Sequence, residues 1–540
     1  MLLTFIGADH EVTGSCHLLQ AAGKNILIDY GMRQGTCTFE NVPIPVTAGE
    51  IDYVLLTHAH IDHSGLLPLL YAKGFRGAVL ATNATVDLCN IMLLDSAHIQ
   101  EFEAEWRNRK GMRKGEEPYV PLYTTEDVTR LLRHFKGFSY GKEYQVCPGI
   151  RIRFTDVGHL LGSSAVEVWA EEKGITKKLI FSGDVGNINQ PLIKDPAPIR
   201  DADYLLIEST YGDRTHGERV DYVEQLAAVL QRTFDRGGNV VIPSFAVGRT
   251  QEILYFLRQI KEEKRVAGHE NFRVYVDSPL AVKATSVFNE NTAECFDEEA
   301  EALLAKGVNP ISFPGLTLAI TSDESKEINF VREPKVIISA SGMCEAGRIK
   351  HHLKHNLWQK NATILFVGYQ AVGTLGRSIV EGNKTVKLFG ESIQVAAEIC
   401  QLPGISGHAD RDGLLRWAGG LERPPVKTFV VHGEDEVTDS FAETLRSELG
   451  FDADAPFSGT VYDLLAGEYV KRTEGVPYVK RDADGNPVKI NTANATKAYQ
   501  RLTNVAERLM SIVRRSSGVS NKDLARLADQ LTSICDKWEQ

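Results

Sequence analysis

Val54-Leu55-Leu56-Thr57-His58-Ala59-His60-Ile61-Asp62-His63 decides how the whole chain is read. A short apolar run stops abruptly at three imidazoles and a carboxylate, the texture of a buried strand followed by a functional loop. Donors packed this closely cannot all serve one small tetrahedral ion, so neighbouring side chains must point towards two adjacent metal sites. A surface histidine cluster is the rival account. It would not be expected to follow an apolar strand and lead directly into Ser64-Gly65 and the helix-like Leu66-Leu67-Pro68-Leu69-Leu70.

The same pattern recurs along the chain. Ile26-Leu27-Ile28 precedes Asp29, Ile152-Arg153-Phe154 runs towards His159, Leu179-Ile180-Phe181 leads to Asp184, Leu205-Leu206-Ile207 to Glu208, and Phe429-Val430-Val431 to His432. If these strands lie side by side in layered sheets, their carboxyl ends bring residues about 400 positions apart to one edge, where ligands of α/β folds sit. From about Tyr211 to Asn383 helical stretches alternate with buried-strand runs. Val240-Val241-Ile242 precedes Pro243-Ser244-Phe245, Val336-Ile337-Ile338 precedes Ser339-Ala340-Ser341-Gly342-Met343, and Ile364-Leu365-Phe366-Val367 precedes Gly368. This predicts a second α/β unit with a parallel sheet, inserted into the first, because the strand-then-ligand runs resume after it.

The expected divisions are residues 1–210 and 384–455 for the interrupted domain, 211–383 for the insertion and 456–540 for a C-terminal extension. In the extension, a turn-rich stretch with Asp484-Gly485-Asn486-Pro487 precedes two helical patterns. Ala498, Leu502, Val505, Leu509 and Ile512 share one face, and Leu524, Leu527, Leu531 and Ile534 another, with Asn521 as the expected N-cap. From Phe457 onward there are 13 Lys and Arg against 10 Asp and Glu. So slight an excess favours a helical hairpin, packed on the body or on a second copy in a homodimer, over a dedicated RNA-binding tail.

The 540 residues carry 60 Lys and Arg against 71 Asp and Glu, a net charge of −11, and 43% of them are hydrophobic. Disorder is excluded as the main state. So is a protein that grips a polyanion by bulk charge, although a local basic groove or bound cations could still recruit phosphate. The eight cysteines lie far apart with no C-x-x-C pair, which points to a reducing, cytoplasmic setting. Neither a secretory leader nor a run of about 18 apolar residues is evident, so no membrane association is expected. With neither a Walker-type loop nor a full G-x-G-x-x-G fingerprint, no nucleotide cofactor is expected. His98, His134, His216, His269, His351, His352 and His355 have no partner pattern and are assigned structural or exposed roles.

Asp29 after its strand, the His58 to His63 run, His159 in Gly158-His159-Leu160-Leu161-Gly162-Ser163 and Asp184 in Ser182-Gly183-Asp184 resemble the metallo-β-lactamase superfamily. Glu208-Ser209-Thr210-Tyr211-Gly212, the Ser341-Gly342-Met343 loop, Ser406-Gly407-His408-Ala409-Asp410 and Val431-His432-Gly433-Glu434 resemble its β-CASP nuclease branch. Within that branch the sequence is similar to the bacterial and archaeal ribonucleases related to the endonuclease subunit of the eukaryotic cleavage and polyadenylation machinery. The likeness runs from residue 1 to about 455. It implies an α/β fold, an αββα sandwich carrying an inserted β-CASP domain. It also implies His58, His60 and His159 on one Zn²⁺, Asp62, His63 and His432 on a second, and Asp184 bridging them. Imidazole and carboxylate donors without thiolate suit Zn²⁺, with Mn²⁺ also admissible. Asp29 is expected to orient a ligand imidazole through its free N–H, with a turn cap as the alternative.

By the same resemblance the substrate is single-stranded RNA, cut to 5′-phosphate and 3′-hydroxyl ends by a hydroxide shared between the ions. His408, paired with Glu208, is the expected general acid towards the departing ribose oxygen. Ser341 and Gly342, with Arg348 shortly after, resemble the family's phosphate loop, where free backbone N–H groups at a strand end face an anion. Ser244, Arg249 and Gln251 form a second candidate on the inserted unit. For both arginines an intramolecular salt bridge is the competing expectation. Three rival functions remain open: a DNA-directed relative, a small-molecule metallo-hydrolase with no need of the insertion or His408, and an inactive scaffold of an RNA-processing complex. The sequence leaves internal and end-directed cleavage undecided.

Overall fold

Apolar runs buried on both faces need a layer on each side. The structure, a computed structural model, describes residues 1–35, 37–111, 118–217, 220–402, 406–478, 505–506, 508–510, 512–513 and 520–538. An eight-stranded sheet runs in the order Glu468–Lys471, Val461–Asp463, Leu2–Gly7, Cys16–Ala21, Lys24–Ile28, Tyr53–Leu55, Ala78–Thr82, Phe135–Phe138. A seven-stranded sheet runs Ala453–Asp454, Lys427–Val431, Tyr204–Glu208, Ile175–Phe181, Ser164–Glu172, Ile150–Asp156, Tyr144–Cys147. The two-residue period of a strand sorts their side chains. Ile26, Ile28, Leu55, Phe181, Leu206 and Phe429 fill the core between the sheets. Leu27, Val54 and Leu56 belong to the core under helices Leu67–Ala72 and Asn83–Gly111. Ile180, Leu205, Ile207 and Val430 pack under Arg411–Ala418 and Asp435–Leu449. The result is an αββα sandwich.

The inserted unit has a six-stranded sheet in the order Leu316–Ala319, Arg273–Asp277, Lys335–Ser339, Val240–Pro243, Thr363–Phe366, Glu398–Gln401, with every pair parallel. Helices Tyr222–Asp235 and Arg249–Glu262 lie on one face, and Ile349–Asn356 and Leu375–Val380 on the other. Two boundaries differ from the sequence reading. The strand Glu398–Gln401 carries the inserted sheet past residue 383, and as a half-buried edge strand it lacks the apolar run that marked the others. The segment after 456 begins inside the sandwich, because Val461–Asp463 pairs with Leu2–Gly7.

In the C-terminal extension, helix Asn521–Trp538 is capped by Ser520, whose Oγ accepts the Asp523 N–H at 3.3 Å, and Asn521 is its first residue. The Asp484-to-Pro487 turn, Ala498 and Leu502 lie outside the described residues. No described helix is long and apolar enough to cross a membrane.

Gly31 fixes how the first sheet delivers its loop. A Cβ there would stand 1.5 Å from the carbonyl oxygen of Asp62 and 2.8 Å from the His63 nitrogen, all backbone. Gly31→Ala is therefore expected to destabilise the protein by about 1–3 kcal/mol and to displace Asp62 and His63. Urea unfolding and metal analysis check this; an unchanged midpoint with full metal content would contradict the packing.

Candidate metal centre and its acid–base pair

Parallel pairing brings the polar strand ends together. Ile28 pairs with Leu55, Phe181 with Leu206 and Glu208 with Val431, so Asp29, the Thr57 to His63 loop, Asp184, Glu208 and His432 arrive at one edge of the sandwich. Tyr30 N donates to His63 O at 2.8 Å and His432 N to Ala8 O at 2.7 Å, which lock the loops to each other. Asp29 and His432 have φ of 59° and 53°. This left-handed region costs most side chains about 1–3 kcal/mol, and Asp and His enter it more readily than most.

The side chains form two donor sets. His60 Nδ1 lies 3.1 Å from His58 Nε2 and 3.2 Å from His159 Nε2. His63 Nε2 and His432 Nε2 are 3.1 Å apart, and Asp62 Oδ2 is 3.8 Å from the latter. Asp184 stands between the sets. Its Oδ2 is 3.4 Å from His58 Nε2 and 3.5 Å from His159 Nε2, while its Oδ1 is 3.2 Å from His63 Nε2 and 3.6 Å from His432 Nε2.

Four of the five rings are held from behind. His63 Nδ1 meets Asp29 Oδ2 at 2.7 Å, His58 Nδ1 meets Thr57 Oγ1 at 3.1 Å, His432 Nδ1 meets Thr210 Oγ1 at 3.2 Å, and His159 Nδ1 donates to Gly407 O at 3.2 Å. Asp29 also accepts from Thr57 N and Oγ1, at 2.8 and 2.9 Å, so it orients a ring and its loop together. Sequence reasoning passed over Thr57, Thr210 and the Gly407 carbonyl. All three lie beside residues the sequence singles out, Thr57 before His58, Thr210 after Glu208 and Gly407 before His408, but nothing in the spacing says which ring each one holds.

Electrostatics tests whether this arrangement fits a metal. Burial lowers His58, His159 and, to about 3, His60, which leaves these rings neutral with their lone pairs converging. Burial also opposes charge on His63 and His432, yet Asp184, with Asp29 for the first and Asp62 for the second, raises both above the ordinary imidazole range. Burial pushes Asp62 and Asp184 upward, and the surrounding imidazoles overcome it and hold both below the usual carboxylate range. Asp184 Oδ1 is buried and makes no hydrogen bond among the described residues. Convergent nitrogen lone pairs around an orphaned carboxylate oxygen fit divalent cations, which would take the place of the protons on His63 and His432.

His408 stands at the margin of this cluster. Its Nδ1 is 3.1 and 3.2 Å from the two oxygens of fully buried Glu208, and its Nε2 is 3.9 Å from Asp184 Oδ2. Glu208 Oε1 also accepts the Val185 N–H at 2.6 Å, which fixes the carboxylate. Burial disfavours the imidazolium, but Glu208 and Asp184 outweigh it and raise His408 to about 9. Its side chain is 21% exposed. His216 Nε2 meets the His408 carbonyl at 3.0 Å, so this histidine supports the loop that carries His408.

Three family models match the chain: the metallo-beta-lactamase superfamily over residues 11–79, the Beta-Casp domain over 250–379, and the Zn-dependent metallo-hydrolase RNA specificity domain over 392–456. Among curated proteins, ribonuclease TTHA0252 of Thermus thermophilus is 38% identical over 439 residues, covering 81% of this chain and 94% of that protein. An RNase J-like protein of Methanocaldococcus jannaschii is 30% identical over 86% of this chain and the whole of that one. Transcription termination factor FttA of the same organism is 32% identical over 82% of this chain and 68% of its own. The chain belongs to the β-CASP branch of the metallo-β-lactamase superfamily.

The β-CASP unit treats the expected phosphate contacts differently from the sequence reading. Ser341 and Gly342 do lie at the carboxyl end of strand Lys335–Ser339. Arg348, however, faces inward, with Nη1 on Asp277 Oδ1 at 2.7 Å and Nη2 on the Ile320 carbonyl at 2.6 Å. Arg249 Nη1 pairs with Glu252 Oε2 at 2.5 Å. Ser244 is buried, donating to the Phe245 carbonyl. Low solvation favours these internal partners, so Arg348 braces loops, Arg249 pairs within the first turn of its own helix and the serine is not presented to solvent. His352, bonded to Asp277 Oδ2 at 2.6 Å, belongs to the same brace.

Because Asp29 orients His63 and its loop, Asp29→Ala is expected to weaken divalent-cation binding by about 10–100-fold while the protein stays folded. Competition with a chromophoric chelator measures this, and unchanged affinity would reduce Asp29 to a turn cap.

Proposed function

We propose that this chain is a metal-dependent ribonuclease that hydrolyses phosphodiester bonds of single-stranded RNA at a centre of two Zn²⁺, with Mn²⁺ as a working substitute, in the cytoplasm. The observation that carries the reading is the His408–Glu208 pair set beside Asp184 at the edge of two donor sets. A hydrolase expelling an alkoxide needs a held proton at that place, whereas a cation store or an inactive scaffold has no use for one. The RNA specificity model over residues 392–456 and the names of the ribonuclease relatives support RNA as the substrate.

When bound, the ions would supply an ionised water and positive charge against the phosphoryl oxygens. The protein's residues do the rest. Asp29, Thr57, Thr210 and the Gly407 carbonyl fix the ring planes, so the donors need not reorganise during reaction. Asp184 keeps the two sets in register. His408 gives the proton on Nε2 to the departing ribose oxygen while Glu208 retains Nδ1–H and fixes the ring. The 5′-phosphate fragment and the 3′-hydroxyl fragment then part, and His408 regains a proton from solvent through its exposed edge.

Pure protein is expected to carry two divalent ions per chain, to lose RNA cleavage in EDTA and to recover it with Zn²⁺ or Mn²⁺; full activity without bound metal would reject the mechanism. His408→Ala is expected to keep both ions and to cut RNA about 10²–10⁴-fold more slowly. Loss of metal in that variant would make His408 a ligand in place of an acid. RNA labelled separately at each end, with matched DNA beside it, reads both direction and sugar preference, and DNA cut as fast as RNA would favour the DNA-directed alternative.

A further inference from the structure

Three adjacent strands of the inserted sheet, Lys335–Ser339, Val240–Pro243 and Thr363–Phe366, each send a loop from the carboxyl edge. In two of these loops polarity is inverted. Ser244 is buried, bonded to the Phe245 carbonyl and to Thr250 Oγ1, while Phe245 is 46% exposed. Gln370 is buried, with Nε2 donating to Gly342 O at 3.0 Å, while Tyr369 is 61% exposed. Hiding the hydroxyl or amide and showing the ring runs against ordinary burial preference, and exposed rings gathered in one place mark recognition surfaces.

The third loop ties the other two together. Gln370 holds Gly342 on one side. On the other, the Phe245 ring lies so close that a Cβ at Gly342 would meet its Cδ2 and Cε2 at 3.0 and 3.1 Å. The edge also adjoins the metal centre. Gly248, three residues after Phe245, comes within 3.1 Å of Leu160 when given a Cβ, and Leu160 follows His159 directly. Three residues reach at most about 11 Å.

We propose that Phe245 and Tyr369 are a stacking shelf for nucleobases flanking the cleaved linkage, with Gly342 between them. Stacking accepts any base, because each has a π-face, and it requires that face to be free of a paired helix. The shelf thereby selects unpaired RNA without reading its sequence. It also gives the strand a course. A cavity of about 1140 Å³ bordered by Ser406 and Asp410 has more carboxylates in its lining, Asp195, Asp297, Glu298 and Asp412 among them, than cations, Lys194 and Arg416, and so disfavours phosphate. The proposal rests on the ribonuclease reading.

The test uses Phe245→Leu, Tyr369→Leu and Phe245→Tyr on full-length protein, with an unstructured RNA and the same RNA carrying one abasic ribose moved stepwise past the cut. Each Leu variant is expected to raise KM about 5- to 100-fold, with KM affected more than kcat, and Phe245→Tyr to stay near wild type. An abasic ribose at one position should raise the wild-type KM by a similar factor and add nothing further in the matching Leu variant. Unchanged KM in both Leu variants, or abasic penalties that add fully at every position, overturns the shelf. So does loss of metal in Phe245→Leu, which would make the ring a packing element. Wild-type cleavage of the unmodified RNA reports the ribonuclease reading separately, so the shelf can fail while that reading stands.

Discussion

One buried carboxylate, Asp184, offers a separate oxygen to each of two imidazole sets, and the sandwich is arranged so that this can happen. Five ring nitrogens gathered in two sets, with neighbours in each set 3.1–3.2 Å apart, repel through their lone pairs unless something positive sits among them. Protons can do this for His63 and His432, while burial denies them to His58, His60 and His159. Divalent cations resolve the whole cluster, so metal binding and stability of this edge are coupled. The position of the centre follows from the strands. The strands that precede these residues are largely apolar up to their ends, with a separate ion network at Arg153, Glu167 and Lys178, so the convergent histidines and acids gather at the carboxyl edge.

A chain of net charge −11 meets a polyanion without a broad basic face. Its arginines near the inserted sheet's edge are occupied, Arg348 by Asp277 and Arg249 by Glu252. In the proposed reading, positive charge would be concentrated in the cations held by the two donor sets and in His408, and the rest of the strand path would be made from backbone N–H groups and rings. Such a division keeps affinity local: attraction is strong where the linkage is cut and weak elsewhere, which suits an enzyme that must release long products.

What the sequence made legible was whatever changed abruptly. An apolar run ending at a histidine or aspartate is a sharp signal, and Asp29, His58 to His63, His159, Asp184, Glu208 and His432 all lie where such runs end. The αββα sandwich follows from the same runs. Features without contrast stayed hidden. Glu398–Gln401 is an edge strand with mixed polarity, and Val461–Asp463 is three residues long, so neither announced its sheet. Side-chain direction was hidden as well. A loop that reads Ser244-Phe245 suggests an exposed hydroxyl, and the fold buries the hydroxyl and exposes the ring. Asp277, which holds Arg348, lies 71 residues before it, and nothing in the spacing pairs them.

His408 and the two donor sets are not independent parts. Gly407 O receives His159 Nδ1–H and also Asn187 N–H at 3.1 Å, and Ala409 N donates to Val185 O at 2.7 Å, so the loop that carries His408 also orients a ring of the first donor set. Val185 in turn gives its N–H to Glu208, the partner of His408. Asp184, one residue before Val185, faces both donor sets. His408, Glu208, Asp184 and the His159 imidazole thus share one short hydrogen-bonded circuit of backbone. A shift of any member moves the others, which makes the geometry between acid and donor sets a property of this circuit and not of separate side-chain rotamers. Cleavage at a single linkage requires that kind of rigidity, because a proton donor displaced by about 1 Å loses much of its effect.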